Sequence, residues 1–153
     1  MIINLDNTKP EIGKQIRFLF QASYKIEAEL LKADYFPPLK RTLNEFLNSK
    51  NEFYGYEKNQ EIVAIVELKH SDNNCHVQSL VVHPHYFRQG FGKTLMRFVI
   101  QKATTNTITV ETGFDNFPAC ELYRSLNFKE NGVYDTEFNI RKIKFILHKK
   151  HNH

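Results

Sequence analysis

The sequence has no long apolar run and only two cysteines. A membrane-spanning helix needs about 20 mostly apolar residues in a row, and none is present. Residues 1–6 lack the basic start of a secretory leader. Cys75 and Cys120 are therefore expected to be reduced thiols rather than a disulfide. We predict a cytoplasmic protein with no membrane partner.

Internal repeats and linkers rich in glycine or serine are also absent, and 153 residues suit one domain. We predict a domain over residues 1–149 and a basic, flexible tail over residues 150–153. Lysine and arginine total 21 against 17 acidic residues, so the net charge of +4 is a mild excess spread along the chain. Such a charge suits a polyanionic cofactor, and no nucleic-acid partner is predicted.

Apolar periodicity and turn residues predict the order of helices and strands. Thr8 and Glu11 have the spacing of a capping box for a first helix that is expected to end near Tyr24. The predicted helices cover residues 10–24, 39–47, 92–103 and 118–126. The predicted strands cover residues 2–5, 52–57, 61–69, 75–83, 107–111 and 142–147, with room for one more. This order predicts an α/β (α+β) fold, whose mixed, mostly antiparallel central sheet of six to seven strands has helices on both faces.

The segment after the fourth predicted strand contains a short glycine loop followed at once by a helix. Gly90 and Gly92 allow backbone N–H groups to approach a ligand, and the helix N-terminus adds partial positive charge. This arrangement predicts an anion site suited to a pyrophosphate, with Arg88 and Lys93 supplying full charges. It is not a Walker loop, and it lacks the third glycine of a dinucleotide fingerprint. Ordinary turn glycines are the alternative interpretation.

Two segments of the sequence resemble motifs of the GNAT superfamily of acetyl-CoA-dependent N-acetyltransferases. Residues 87–93 resemble the family pattern Arg/Gln-x-x-Gly-x-Gly/Ala, with Phe87 at the usual Arg/Gln position. Residues 116–128 resemble Asn-x-x-Ala-x-x-Leu-Tyr-x-x-x-Gly-Phe, with Asn127 in place of glycine. Asparagine also tolerates the left-handed conformation at a helix C-terminus. Both motifs occur in the family's order, with a predicted strand between them.

The resemblance implies an enzyme that moves an acetyl group from acetyl-CoA to a primary amine, by direct transfer with both substrates bound. It implies that residues 87–93 hold the CoA pyrophosphate, that the preceding strand pairs with pantetheine, and that Tyr123 protonates the departing thiolate. The implied cofactor contacts are Leu80, Val81, Val82, Phe87, Arg88, Gln89, Gly90, Phe91, Gly92, Lys93, Asn116 and Tyr123. Two alternatives stay open for the side chains: Tyr123 as a core residue and Asn116 as a simple helix cap. A non-catalytic acyl-CoA-binding sensor on the same fold is the alternative function.

The general base is not assigned by the sequence. Family members often place a glutamate on the strand before the cofactor loop, where this chain has Gln78, which cannot accept a proton. Glu111, Glu67, His76 and Glu27 are the substitutes considered, and a solvated or structural role is the alternative for each.

The acceptor is expected to bind near residues 24–39, because this region commonly shapes the acceptor site in the superfamily. Tyr24, Tyr35 and Phe36 are candidates for an aromatic wall, whereas Glu27, Glu29 and Asp34 are candidates for attracting a cationic amine. The alternative is a solvated helix end with anchoring aromatic residues. The sequence leaves open a small amine or a peptide or protein amine as acceptor, and it leaves open a homodimer.

No metal site is predicted. Cys75, His76, His83 and His85 match no standard zinc spacing. The terminal histidines His148, His151 and His153 are expected to bind nickel or zinc only adventitiously.

Overall fold

All strands in the described part of the chain belong to one sheet. The computed structural model describes residues 1–149, and the predicted tail at residues 150–153 lies outside them. The strands are β1 (Ile2–Leu5), β2 (Glu52–Lys58), β3 (Glu61–Ser71), β4 (Asn74–Val82), β5 (Thr107–Gly113), β6 (Lys129–Asp135) and β7 (Arg141–His148). Their order in the seven-stranded sheet is β1-β2-β3-β4-β5-β7-β6. Only β4 and β5 pair in parallel, so the predicted mixed, mostly antiparallel sheet is confirmed.

Helices cover both faces of this sheet, as predicted. They are α1 (Pro10–Leu30), α2 (Leu43–Leu47), α3 (Phe91–Lys102) and α4 (Phe117–Ser125), with short 3-10 turns at Pro37–Lys40 and Pro84–Tyr86. On one face, Ala64 and Val66 of β3 join the core cluster of α3 and α4. On the other face, Ile65 of the same strand joins the cluster of α1 and α2. The alternation explains why β3 is apolar at successive positions.

The first helix differs from its predicted form at both ends. Thr8 does not cap it, because its N–H and hydroxyl both donate to the Asp6 carboxylate, at 3.1 and 2.6 Å, and Lys9 occupies the N-cap without a side-chain bond. The helix also runs to Leu30 rather than ending near Tyr24. The extra turns are stabilised by packing, since Ala28 is buried in a cluster with Phe36 and Ile140. The extension places Glu27 on a regular helix.

Within residues 1–149, no helix has both the length and the apolar character required to span a membrane.

Candidate functional site

A cavity of about 470 Å³ opens where β4 and β5 separate. The two strands pair only from Asn74 with Thr107 to Val77 with Val110. Both strands continue beyond Val77 and Val110, but the described residues contain no further pairing between them. The cavity is lined by both strands, by α1 and by α4. The fold therefore leaves a cleft in the middle of the sheet, with strand edges as its walls.

The edge of β4 that faces this cleft offers main-chain groups. The His83 N–H donates to the Val63 carbonyl of β3 at 2.9 Å. Because successive residues of a strand point their main-chain groups to opposite sides, Val81 also faces β3, whereas Leu80 and Val82 face the cleft. Val81 was predicted to contact the cofactor, but its side chain is buried in the core and it presents no group to the cleft. Leu80 and Val82 remain candidates.

The glycine loop presents a run of main-chain donors. The main-chain N–H groups of residues 88–93 donate to no acceptor within residues 1–149. Arg88 and Gly90 have positive φ angles of 62° and 84°, which turn the backbone sharply before α3. Phe87 differs from the prediction, because its N–H donates to the Pro84 carbonyl at 3.3 Å and is not available to a ligand. Six consecutive main-chain donors therefore have no partner within residues 1–149 at the start of α3.

The N-terminus of α3 has no side-chain cap, so its first N–H groups carry the positive end of the helix dipole. A Cβ added to Gly92 would lie 3.6 Å from Val82 Cγ2 and 3.7 Å from Leu80 Cδ2. The donor run is thus contiguous with the open edge of β4. Arg88 is exposed and Lys93 partly exposed beside it, which adds two formal positive charges. The site suits a diphosphate whose remaining chain extends into the cleft.

Helix α4 carries the second motif. Asn116 caps the helix by accepting from the Ala119 N–H at 3.3 Å, and its Nδ2 donates to Glu27 Oε1 at 3.2 Å. Its side-chain amide is therefore engaged at both ends, as the helix-cap interpretation requires. Asn127 follows the helix with a φ of 69°, which confirms the left-handed conformation predicted there.

Tyr123 lies on the cavity side of α4, seven residues and about two turns after Asn116. Its ring packs against Phe128 and Phe145, with centroids 5.9 and 5.6 Å away. The Tyr123 hydroxyl has no hydrogen-bond partner among residues 1–149. Since every fully buried side-chain polar atom there has a partner, this hydroxyl is not fully buried and must face the cavity. Burial, and secondly the negative charge of Glu27, raise the pKa of Tyr123, so the phenol keeps its proton.

Glu67 does not have the free oxygen that a base needs. Each of its carboxylate oxygens accepts two hydrogen bonds, Oε1 from Arg41 and Ser79 and Oε2 from Arg41 and Asn51, at 2.7 to 3.0 Å. The side chain is fully buried, and the Arg41 guanidinium neutralises it. Glu67 therefore fixes the loop after α1 to β3.

We expect Arg41→Met to lower the free energy of unfolding by about 3–5 kcal/mol, because Glu67 would remain buried without its cation. The matched variant Arg141→Met removes an exposed pair with Asp135, whose side chains are 58% and 62% accessible, and should cost under about 1 kcal/mol. Urea unfolding of both variants measures the difference. Equal losses would contradict the structural role of the buried pair.

The other candidate bases are held differently. Glu111 Oε1 accepts from the Tyr134 hydroxyl at 2.6 Å. The His76 ring lies 2.8 Å from Thr109 Oγ1, and burial lowers the pKa of His76. Among residues 1–149, Glu27 accepts hydrogen bonds through Oε1 alone, from Asn116 at 3.2 Å and Thr112 at 3.4 Å. All three line the cavity, together with Gln78.

The predicted acceptor wall is only partly present. Tyr24 lines the cavity, but Phe36 is buried behind it, at a ring distance of 5.8 Å. Tyr35 lies outside the cavity against Phe138, at 4.7 Å. Glu29 and Asp34 are exposed and do not line it either.

Several cavity residues were not predicted from the sequence: Lys40, Arg41, Glu45, Thr112 and Lys142. Glu67 directly follows the apolar run of β3, and a fully buried carboxylate needs a cation beside it. The sequence therefore indicated a buried cation near this strand. Nothing local indicates Lys142, which reaches the cavity because β7 pairs with β5 at Gly113.

The cysteines and histidines do not converge. Cys75 and Cys120 are buried free thiols, and burial raises the pKa of Cys75 to about 11. Cys75 lies near the start of β4 and His83 directly follows its last residue, so the two are about 26 Å apart at 3.3 Å per residue. Residues 1–149 contain no group of three or more histidine, cysteine, aspartate or glutamate side chains arranged to hold a metal ion.

Comparisons with known proteins agree with this geometry. The acetyltransferase (GNAT) family model matches residues 15–128, which include both motifs. The chain is 28% identical over 159 residues to the UPF0157 protein YqkA of Bacillus subtilis (strain 168), covering 97% of this chain and 46% of that protein. It therefore spans about half the length of that curated relative.

Two solved structures are similar in fold. One is the ribosomal-protein-S18-alanine N-acetyltransferase from Escherichia coli, with a TM-score of 0.75, 21% identity and coverage of 97% of this chain and 92% of that one. The other is an aminoglycoside 6′-N-acetyltransferase complexed with coenzyme A, with a TM-score of 0.73, 15% identity and coverage of 97% and 96%. At these identities the likeness concerns the fold.

Proposed function

Because this chain belongs to the GNAT acetyltransferase family, we propose that it transfers an acetyl group from acetyl-CoA to a primary amine. The observation that carries the proposal is the run of six main-chain N–H groups at residues 88–93, which donate to nothing else among residues 1–149. They adjoin the open edge of β4, where a family cofactor would extend. The relative solved with coenzyme A has the same fold.

In this proposal the chain binds acetyl-CoA at two adjoining places. The donors of residues 88–93 and the positive end of α3 hold the diphosphate, with Arg88 and Lys93 adding charge. Leu80 and Val82 offer main-chain hydrogen-bonding groups to the pantetheine arm along the cleft. The arm would pair with them as an added strand pairs with a sheet edge. The thioester then reaches the cavity that Tyr123 lines.

Tyr123 is proposed to give its proton to the thiolate that leaves. A phenol with a pKa of about 10 and a thiol with a pKa of about 8.5 differ by roughly 2 kcal/mol in water, so the transfer is uphill there. In this cavity burial raises the pKa of Tyr123 further. The same burial and the charge of Glu27 raise the proton affinity of a thiolate beside Tyr123, which offsets the gap.

The reaction is proposed to be direct, with the amine attacking the thioester while both substrates are bound. The related structures do not specify the amine, because one is named for a ribosomal-protein alanine and the other for an aminoglycoside. A screen should therefore include peptides with a free N-terminus, polyamines, amino acids and aminoglycosides.

The test measures release of free CoA thiol from acetyl-CoA while these amines are screened. We expect at least one primary amine to support turnover and to gain the mass of one acetyl group. Acetyl-CoA binding without turnover of any amine would favour the sensor alternative. Absence of measurable acetyl-CoA affinity, by calorimetry on the purified protein, would overturn the proposal.

A further inference from the structure

We propose that Glu27 of α1 is the carboxylate that receives the acceptor amine and takes its proton, through Oε2. This inference rests on the proposed function and assigns the base that the sequence left open. Its starting point is the unequal use of the two carboxylate oxygens.

Oε1 of Glu27 is held by two donors from the opposite wall of the cleft. Thr112 Oγ1 of β5 donates at 3.4 Å and Asn116 Nδ2 at the start of α4 donates at 3.2 Å. Oε2 accepts no hydrogen bond from residues 1–149, yet no fully buried side-chain polar atom there lacks a partner. Oε2 is therefore accessible in the cavity that Glu27 lines. The carboxylate is fixed by one oxygen and available through the other.

Its surroundings place this oxygen near the reacting end of the cleft. Glu27 lines the same cavity as Tyr24 and Tyr123. After burial, which is the larger cause, its negative charge contributes to raising the pKa of both phenols. Asn116 joins Glu27 to the helix that carries Tyr123. A base for the attacking amine and an acid for the departing thiolate are the two groups that assist amide formation from a thioester.

The competing carboxylates are less suitable. Glu67 has both oxygens saturated and a guanidinium beside it. Glu45 accepts at the exposed N-terminus of α2 as part of a capping box with Thr42. Glu111 accepts from Tyr134 and stands on the partly exposed end of β5. It is the strongest competitor, and the test includes it.

The proton balance is as follows. An ammonium acceptor loses one proton to Glu27 Oε2, which passes it to water. For an amine with a pKa of about 10.4, this deprotonation costs on the order of 4–5 kcal/mol at pH 7. The neutral nitrogen then bonds to the thioester carbon, and the carbon–sulfur bond breaks. The sulfur takes the Tyr123 proton, and the second proton lost by nitrogen restores the phenol. The products are the acetylated amine, CoA thiol and one proton in solution.

The test uses Glu27→Gln in the 153-residue chain, with acetyl-CoA and the best amine found by the screen. Glutamine keeps an oxygen for Thr112 and Asn116, so the fold and acetyl-CoA affinity should be retained. We expect kcat/KM for the amine to fall about 100-fold at pH 7, within the range typical of a lost general base. The deficit should shrink as pH rises toward the pKa of the amine, because hydroxide and the growing fraction of free amine replace the base.

The matched control is Glu29→Gln, which removes the same charge from an exposed position on the same helix and should change kcat/KM less than twofold. A Glu27→Gln deficit that is equal at every pH would indicate a positioning role and overturn the inference. A pH-dependent deficit in Glu111→Gln with a nearly active Glu27→Gln would transfer the role to Glu111. If the wild-type protein acetylates no amine, the proposed function fails, and this inference fails with it.

Discussion

Tyr123→Phe should lower kcat by about 100-fold or more while acetyl-CoA affinity stays within about twofold, because the variant removes only the hydroxyl that we propose as the proton donor. The hydroxyl donates to no residue among 1–149, so its loss breaks no hydrogen bond within the described protein. The ring that packs on Phe128 and Phe145 is kept. Single-turnover rates and calorimetric binding of acetyl-CoA separate the two quantities.

The pH profile adds a second readout. Since burial and the charge of Glu27 raise the pKa of Tyr123, the wild-type rate should show no decline near pH 10, where an ordinary phenol ionises. Tyr24→Phe is the matched control, because Tyr24 also lines the cavity and its pKa is raised by the same causes. An equal fall in kcat for both phenols, or an equal loss of kcat and affinity in Tyr123→Phe, would remove the acid role from Tyr123.

The parts of the fold that follow from local chemistry were predictable from the sequence. Asn59 and Gln60 form a two-residue turn with φ angles of 51° and 66°, so β2 and β3 pair as a tight hairpin near the predicted bounds. Gly90 and Asn127 adopt the left-handed conformations that their motifs require. These features depend on a few neighbouring residues, and the sequence contains them all.

The features that were missed depend on distant contacts. Residues 129–135 form β6, but every one of them is exposed, so no alternation of apolar and polar residues could reveal this edge strand. The last turns of α1 are fixed by packing against Ile140 rather than by their own apolar pattern. The same distant packing determines the cleft, because the separation of β4 from β5 is a property of strand pairing.

The candidate site combines both kinds of feature. The glycine loop is local, and its free main-chain donors were predicted, apart from Phe87, whose N–H donates to the Pro84 carbonyl. The position of Glu27 beside Asn116 does not follow from neighbouring residues. It requires α1 to extend past the end that its apolar periodicity indicated, and α4 to begin opposite Glu27. A base search limited to the strands next to the cofactor loop would therefore have missed a carboxylate supplied by the first helix.

The loop itself can be tested by charge alone, with Gly90→Asp and Gly90→Asn. Gly90 has a φ of 84°, and a Cβ there would meet no atom within 4 Å, so steric clash is excluded. Asparagine and aspartate tolerate positive φ better than other residues and have the same shape, which leaves charge as their difference.

If residues 88–93 hold a diphosphate, the aspartate should weaken acetyl-CoA binding about 100-fold relative to the asparagine, or about 2.7 kcal/mol. Gly132, on β6 with a φ of 121° and equally open surroundings, provides the control pair Gly132→Asp and Gly132→Asn. Calorimetric titration with acetyl-CoA should show no difference within this pair, and added salt should narrow the difference at Gly90. Equal affinities for the two Gly90 variants would mean that no phosphate lies at the start of α3, and the proposed cofactor site would have to be abandoned.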